Sequence, residues 1–393
     1  MTTPKFTSDI AIIGGGIVGS ALAYFLSTSE QGKKIILIDR SFAPLQGSTG
    51  YAPGFVGQFN ESEALTLLAI DTVKEYTKIP GGFDTVGGLE IATSDEGANR
   101  LKSRYEAARK VGLTAELISS EEAVRMAPDL VKGYNQIALH FPSDGTANAT
   151  KISSFYQEKA QASGVQLLQT NVSSICQVNG QVQGVMTMSG LIAAKTVVIA
   201  TGIWAPELCE LDIPIPIVPV AHPYMYGENH EPNPRKMPFV RWPEHHVYAR
   251  DHGPFYGLGS YDHQPVSQEP TAAAIGDWIE EFDTTLKNAL NFIPEKTNLV
   301  PKRKFNGIFS MTPDNMPIVG NIPSIGGLFM AAAVWVTHAA GSAKFLAQLM
   351  KGEKVDENIR KALDPSRFQG KDMGRLKRES LDAYNEIYKT QQS

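Results

Sequence analysis

The sequence predicts an α/β fold, α+β overall, in which a dinucleotide-binding half and a mixed, antiparallel-sheet half are interleaved along the chain. Three observations predict it. An apolar run at Ser8–Ile13 breaks at Gly14, Gly16 and Gly19, then resumes as an Ala-rich helix reaching about Glu30. A second apolar strand, Ile35–Ile38, ends in Asp39, twenty residues after Gly19. A third buried strand, Lys195–Ala200, ends at Thr201-Gly202, so the chain leaves the first sheet and returns to it.

Strand, tight turn and helix with G-x-G-x-x-G at the turn is the Rossmann-like signature. Gly14 permits the turn, Gly16 lets a pyrophosphate approach the backbone, and Gly19 lets helix and strand pack closely. Ile17 and Val18 open the helix, whose free N–H groups and positive dipole end suit a phosphate. A carboxylate at the place of Asp39 suits the adenosine ribose hydroxyls. No Gly-Lys-Ser/Thr follows, which excludes a phosphate-loop NTPase here.

The remaining elements follow in order. Arg40–Gly57 is a Gly-, Ser-, Thr- and Pro-rich loop placed to lie beside the cofactor. Ser62–Tyr76 reads as an amphipathic helix, Phe83–Thr93 as a strand, and Asp95–Val111 and Ser120–Ala127 as helices, the second capped by Ser119. Leu139–Thr146 is strand and turn, Ala149–Ser163 a helix, Val165–Gln169 a short strand, and Ile175–Leu191 a hairpin with an Asn-Gly turn. Ile213–Ala221, Val247–Arg250 and Tyr256–Tyr261 are strands. Thr271–Leu290 reads as helix, Asn306–Ser310 and Leu328–Val336 as strands, and Ala339–Met350 as a helix stopped by Gly352. The boundaries that result are 1–82, 141–210 and 305–352 for the dinucleotide-binding domain, 83–140 and 211–304 for the substrate domain, and 353–393 for a partly helical tail on the surface.

Bulk properties narrow the class less. The 393 residues are 42% hydrophobic and 20% charged with a formal net charge of −5, which suits a globular chain of roughly two to three domains and offers no nucleic-acid surface. Cys176 and Cys209 are too few for a disulfide framework or a cysteine metal site. The start lacks an apolar signal core, no apolar stretch approaches ~18 residues, and Gln-Gln-Ser is no peroxisomal tripeptide, so no membrane association and a cytoplasmic location are expected. Six of the eight histidines fall between His222 and His263. His245 and His246 are adjacent and would point to opposite faces of a strand, with no His-x-x-x-His, so no metal is expected. Lys371–Arg378 reads as a solvated basic face.

Eight motifs in order carry a resemblance: Ile12-Ile-Gly-Gly-Gly-Ile-Val-Gly, Gly47-Ser-Thr-Gly-Tyr-Ala-Pro-Gly, Val86-Gly-Gly-Leu-Glu-Ile-Ala-Thr, Pro142-Ser-Asp-Gly, Val218-Pro-Val-Ala-His, Tyr256-Gly-Leu-Gly-Ser-Tyr, Asn306-Gly-Ile-Phe-Ser-Met-Thr-Pro-Asp, and Ala333-Val-Trp-Val-Thr-His-Ala-Ala-Gly. On these motifs the chain resembles the D-amino-acid-oxidase-type flavoproteins, most nearly the oxidase portion of dimethylglycine oxidase and dehydrogenase, with sarcosine oxidases as relatives. The resemblance implies FAD, an antiparallel substrate sheet over the flavin, and oxidation of a secondary or tertiary amine by hydride transfer to flavin N5. It places around the cofactor Gly14, Gly16, Ile17, Val18, Gly19, Asp39, Arg40, Gly47, Ser48, Thr49, Tyr51, Ala52, Pro53, Gly54, Val172, Ala200, Thr201, Gly202, Trp204, Val334, Trp335, Val336, Thr337 and His338. Gly341 is a further candidate at the start of the last helix, whose N-terminus would face the flavin N1–C2=O locus. His338 reads either as that group's neighbour or as a helix cap.

Two departures bear on the chemistry. In the dimethylglycine group, Tyr51 is a histidine bonded to flavin; in monomeric sarcosine oxidases, a cysteine falls at Gly307. Neither reactive residue is present, so non-covalent FAD is expected. The folate-binding half that follows in dimethylglycine oxidase has no counterpart up to Glu386-Ile-Tyr, so no folate domain is expected in this chain and a released imine would hydrolyse.

His222 and Tyr248 match residues on the substrate face and are the candidate catalytic pair: the imidazole to accept a proton from, or hold, an ammonium, the phenol to orient the amine or its carboxylate. Phe55, Phe59, Tyr224, Tyr226, Tyr256 and Trp335 are candidate pocket walls, Tyr226 and Tyr256 foremost, with core packing the commoner fate of such aromatics. Arg241 and Arg250 are near in sequence, and neither is assigned to a carboxylate. The expected reaction is removal of an N-methyl group from a small-molecule amine as formaldehyde, with oxygen or another acceptor taking the electrons. Oxidation of a cyclic or primary amino acid, such as proline or glycine, and a flavin-binding protein without catalysis are the alternatives.

Overall fold

Apolar, β-rich runs such as Ile10–Ile13 and Ile35–Ile38 cannot be half-exposed, because both faces of each strand are hydrophobic. In the computed structural model, which describes residues 6–29, 32–134, 136–208, 211–269 and 271–387, they are buried at the centre of a sheet. Phe6–Ile13 pairs in parallel with Ile35–Asp39 on one side and with Gly190–Ile199 on the other. Gln166–Gln169 extends the sheet beyond Ile35–Asp39, and Leu328–Ala332 joins Gly190–Ile199 in parallel. The chain therefore returns to this sheet from well over a hundred residues away, and the fold is the mixed α/β arrangement that the sequence predicts. The hairpin Val172–Val178 and Gln181–Thr187 adds an antiparallel flank.

One face of this eight-stranded sheet is covered by helices. Ile17–Ser29 lies between Ala149–Ala162 and Ala339–Met350, burying Ile17, Ala21, Leu22 and Leu26 against the strands. Full burial of Ile17, Leu22 or Leu26 contributes about 1.5–3 kcal/mol each, and the Ala21 methyl roughly 0.8 kcal/mol. The other face is covered by Ile213, Ile215 and Ile217 together with Phe368 and Leu376 of the C-terminal segment. That segment is thus part of the core. Met373–Asp382 buries Leu376 and Ser380, and Ala383–Glu386 buries Tyr384 completely.

A second sheet has nine strands in the order Ile275–Gly276, Pro301–Met311, Val218–Gly227, Tyr256–Ser260, Val247–Asp251, Phe239–Trp242, Gly88–Ile91, Ala138–Phe141 and Glu116–Ile118. All its pairings are antiparallel except Phe239–Trp242 with Gly88–Ile91. Some elements differ from expectation. The strand expected over Ile213–Ala221 begins only at Val218 and runs on to Gly227. Phe83–Asp84 belongs to a separate three-stranded sheet with Phe55–Val56 and Gly145–Ala147. The helix expected over Thr271–Leu290 forms only at Glu281–Leu290, because Ile275–Gly276 pairs with Gly307 and Asn306 as an edge strand. Ala274 is fully buried beside Ile203 and Ile308, so packing overrides the helix preference of the alanine run. Cys209 lies outside the described residues. Among the described residues, no helix is long and apolar enough to cross a membrane.

Candidate active site

The glycine turn is held from both sides. A Cβ at Gly14, whose φ is +107°, would lie 2.3 Å from the Ala200 carbonyl, and one at Gly19 would lie 1.9 Å from the Gly14 carbonyl. Only glycine allows the returning strand and the helix to close on the turn at these points. Gly15 donates its N–H to Asp39 Oδ2 at 2.6 Å, while its carbonyl accepts from Ser20 Oγ at 2.8 Å and Gln157 Nε2 at 2.9 Å. Asp39 Oδ1 also takes the N–H of Ser41 at 2.9 Å. The carboxylate expected for ribose thus also fixes the loop, and each of its oxygens keeps a second lone pair for a ligand hydroxyl.

The loop that follows folds back over the helix N-terminus. Thr49 Oγ1 accepts the Ile17 N–H at 3.1 Å, and Ser48 Oγ donates to the Ile308 carbonyl at 3.2 Å. Arg40 lies 4.3 Å above the Trp204 ring. Tyr51, in the short helix Ser48–Tyr51, packs with Trp204, Ile203, Ala274 and Ile308. Arg250, reaching from the second sheet, donates to the carbonyl of Pro53 at 2.5 Å and to that of Gly54 at 3.4 Å.

A single cavity of about 620 Å³ runs from the glycine turn to the second sheet. Every cofactor-side candidate of the sequence lines it except Gly19, which packs behind the turn, and Gly341. Gly341 serves helix packing instead: its N–H is taken by Thr72 Oγ1 at 2.9 Å, and a Cβ there would lie 2.2 Å from the Leu68 carbonyl. Thr201 Oγ1, Ser310 Oγ and His338 Nε2, buried polar atoms on lining residues, have no hydrogen-bond partner among the described residues. A phosphate-ready turn at one end and unsatisfied hydroxyl and imidazole groups farther along fit a dinucleotide whose ring system makes hydrogen bonds. His338 makes no side-chain cap bond at the helix Ala339–Met350, and burial pushes its pKa down to about 3, so it is neutral at physiological pH.

At the far end, strand pairing sets the chemistry. His222 stands opposite Gly307, whose lack of a side chain leaves the cavity open beside the imidazole. His222 Nε2 is hydrogen-bonded to the Tyr248 hydroxyl, and its Nδ1 to the Tyr384 hydroxyl at 2.5 Å. Burial, with the neighbouring His263 adding to it, holds His222 well below its ordinary pKa. The imidazole is therefore neutral and does not itself store the proton of an ammonium. Tyr248 is paired in register with Arg241, and both line the cavity. The Arg241 guanidinium lies against Gly57, where a Cβ would be 2.9 Å from Nη1.

Tyr256 and Tyr226 stand elsewhere. Tyr256 donates to Asp129 Oδ2 at 2.9 Å within the far core, and Tyr226 packs on Phe305 with Arg303 4.3 Å over its ring; neither lines the cavity. The other aromatic candidates, Phe55, Phe59, Tyr224 and Trp335, do line it, and Tyr261 joins them. Arg241, Tyr261, Gln157 and Tyr384 were not singled out from sequence for the site. A lone arginine inside the otherwise apolar strand Phe239-Val-Arg-Trp was the available signal for Arg241; Tyr384 had none, because its partner lies 162 residues away.

A family model described as FAD dependent oxidoreductase matches residues 9–349. The chain belongs to the DAO family of FAD-dependent oxidoreductases. Its cofactor is FAD, and the cavity is where it fits. The chain is 26% identical over 351 residues to mitochondrial sarcosine dehydrogenase of Mus musculus, covering 82% of this chain and 37% of that protein. It is 26% identical over 392 residues to mitochondrial dimethylglycine dehydrogenase of Homo sapiens, covering 93% of this chain and 45% of that one. The chain thus spans less than half the length of these two relatives. Among solved structures, L-proline dehydrogenase from P. horikoshii superposes with a TM-score of 0.84 at 26% identity, over 93% of this chain and 99% of that one.

Proposed function

We propose that this DAO-family chain oxidises a secondary or tertiary amine that bears a carboxylate, an N-methylated amino acid of the dimethylglycine, sarcosine or betaine-derived type. The imine product hydrolyses to the demethylated amine and formaldehyde. The observation that carries this reading is the register pair of Arg241 and Tyr248 on the wall of one cavity. A guanidinium binds a carboxylate in a planar fork, and a phenol a strand's width away is placed for the amine. The similarity to sarcosine and dimethylglycine dehydrogenases supports the same substrate class.

FAD, when bound, supplies the two-electron acceptor for the hydride. The chain's own residues position and deprotonate. Neutral His222 orients Tyr248, whose oxygen takes a hydrogen bond from the ammonium. Tyr261 and Phe309, both lining the cavity and packed on the His222 ring, exclude water and so strengthen each polar contact. Tyr51 and Gly307 offer neither of the side chains that tether flavin in the resembling enzymes, so FAD is held without a covalent bond, and oxygen or another acceptor reoxidises it.

The test is anaerobic mixing of the FAD-loaded protein with a panel of N-methylated amino acids. Bleaching of the flavin band by at least one is expected; silence across the panel with FAD in place overturns the reading. A second reading, oxidation of a cyclic amino acid, is favoured by the likeness to L-proline dehydrogenase, and proline belongs in the panel for that reason.

A further inference from the structure

Resting on the amine-oxidation reading, we propose that Tyr248, His222, Tyr384 and His263 form a one-way proton relay that carries the ammonium proton from the cavity to the protein's edge, with Tyr384 and His263 as positioning residues supplied from outside the cavity. The four groups make an unbroken chain. Tyr248 is bonded to His222 Nε2, His222 Nδ1 to the Tyr384 hydroxyl at 2.5 Å, and the same hydroxyl to His263 Nε2 at 2.8 Å. Of the four, only Tyr248 and His222 line the cavity, whereas His263 is half-exposed.

Its direction is set by one backbone carbonyl. His263 Nδ1 lies 2.8 Å from the Gln264 carbonyl, and a carbonyl only accepts, so Nδ1 carries the hydrogen. In neutral His263, Nε2 is then bare and must accept from Tyr384. The Tyr384 oxygen in turn accepts from His222 Nδ1–H. His222 is thereby bare at Nε2 and accepts from Tyr248. Each donor in the chain points outward, and the Tyr248 oxygen, which has two lone pairs, can accept from the amine.

The transfer balances with one proton entering and one leaving and no change in redox state. The ammonium N–H bond breaks as an O–H bond forms on Tyr248. The Tyr248 proton passes to His222 Nε2, that of His222 Nδ1 to Tyr384, and that of Tyr384 to His263 Nε2. The amine is left neutral, as hydride loss from its carbon requires. The His263 imidazolium gives its Nδ1 proton to water, and the hydroxyls and imidazoles return to their starting tautomers before the next turnover. Burial of His222 disfavours a charge stopping midway. Among the described residues, the titratable groups around His263 are Asp262 beside it, Tyr384 and, beyond that hydroxyl, His222; the helix Glu281–Leu290 presents to it the uncharged Phe282 ring, 4.7 Å away between centroids. Asn385 pins the C-terminal segment in place, donating to the carbonyls of Tyr261 at 2.7 Å and His263 at 3.1 Å.

Two measurements on the FAD-loaded full chain test the relay. The first is ¹⁵N NMR of histidine-labelled protein: His222 and His263 are both expected in the Nδ1–H tautomer, and an Nε2–H tautomer at His222 overturns the proposal whatever the substrate. The second is anaerobic flavin reduction across pH by an N-methylated amino acid, comparing the wild type with Tyr384→Phe, which keeps the ring and loses the hydroxyl. At pH 7 the variant is expected to reduce about 100-fold more slowly and to recover the wild-type rate at a pH where the amine is already neutral in solution. A purely structural role would slow reduction equally at every pH, and that outcome, or equal rates throughout, overturns the relay. Silence of the wild type itself marks failure of the amine reading instead and removes the relay's substrate with it.

Discussion

Arg250, on the second sheet, donates to the carbonyl of Pro53, in a loop that lines the cavity, at 2.5 Å. The contact joins residues 197 apart in sequence. It makes the loop Gly47–Gly54 a shared part of both halves. With Arg250 replaced by Met, the Pro53 carbonyl loses a charged donor in a half-buried place, a cost of about 1 kcal/mol. Thermal unfolding should shift down, and the variant should retain less FAD after gel filtration than the wild type.

Arg241→Met should separate substrates by their carboxylate. A buried charged pair broken on one side costs about 2–5 kcal/mol, so KM for N-methylated amino acids should rise at least 30-fold. An N-methyl amine without a carboxylate should be affected within about threefold. Steady-state kinetics on the two classes read the difference directly.

Gly341→Ala tests whether this glycine serves the flavin or the helices. The added Cβ would meet the Leu68 carbonyl at 2.2 Å, backbone that cannot step aside, so a loss of about 1–3 kcal/mol in stability is expected. Molecules that do fold should keep the wild-type visible spectrum, since the residue does not line the cavity.

Two buried groups tilt stability in opposite senses with pH. Burial raises Asp144 to about 7, against opposing hydrogen bonds from Gln58 and the charge of Arg241. A folded-state pKa above the unfolded value of about 3.9 means that its contribution is full below that value and is lost as pH rises towards 7. His338, lowered to about 3, takes a proton in the unfolded chain first, so its contribution is present above about 6.5 and is lost as pH falls. Asp144→Asn, which can still accept the Gln58 N–H, should therefore gain stability over the wild type at pH 8 and little at pH 4. Denaturant titrations at the two pH values check the sign.

What was legible in the sequence was whatever a local pattern encodes. Gly14, Gly16 and Gly19 are needed by the backbone whatever surrounds them, and the run of Asp39 after an apolar strand is set by the turn it serves. His222 and Tyr248 were visible as residue types at motif positions, but their state was not: neutrality of His222 follows from burial by Tyr261, Phe309 and Tyr384, which come from distant strands and the C-terminal segment. That segment is polar enough to read as a surface tail, and only three-dimensional packing shows Tyr384 fully buried. Tyr226 and Tyr256 failed as pocket walls for the same reason in reverse, since aromatic identity does not say which face of a strand meets the cavity.

Formaldehyde formed per flavin reduced, in a single anaerobic turnover with an N-methylated amino acid, tests the central claim most directly. One equivalent per reduced FAD is expected. Full reduction of the flavin without formaldehyde would contradict demethylation and assign the cavity to oxidation at a ring or backbone carbon.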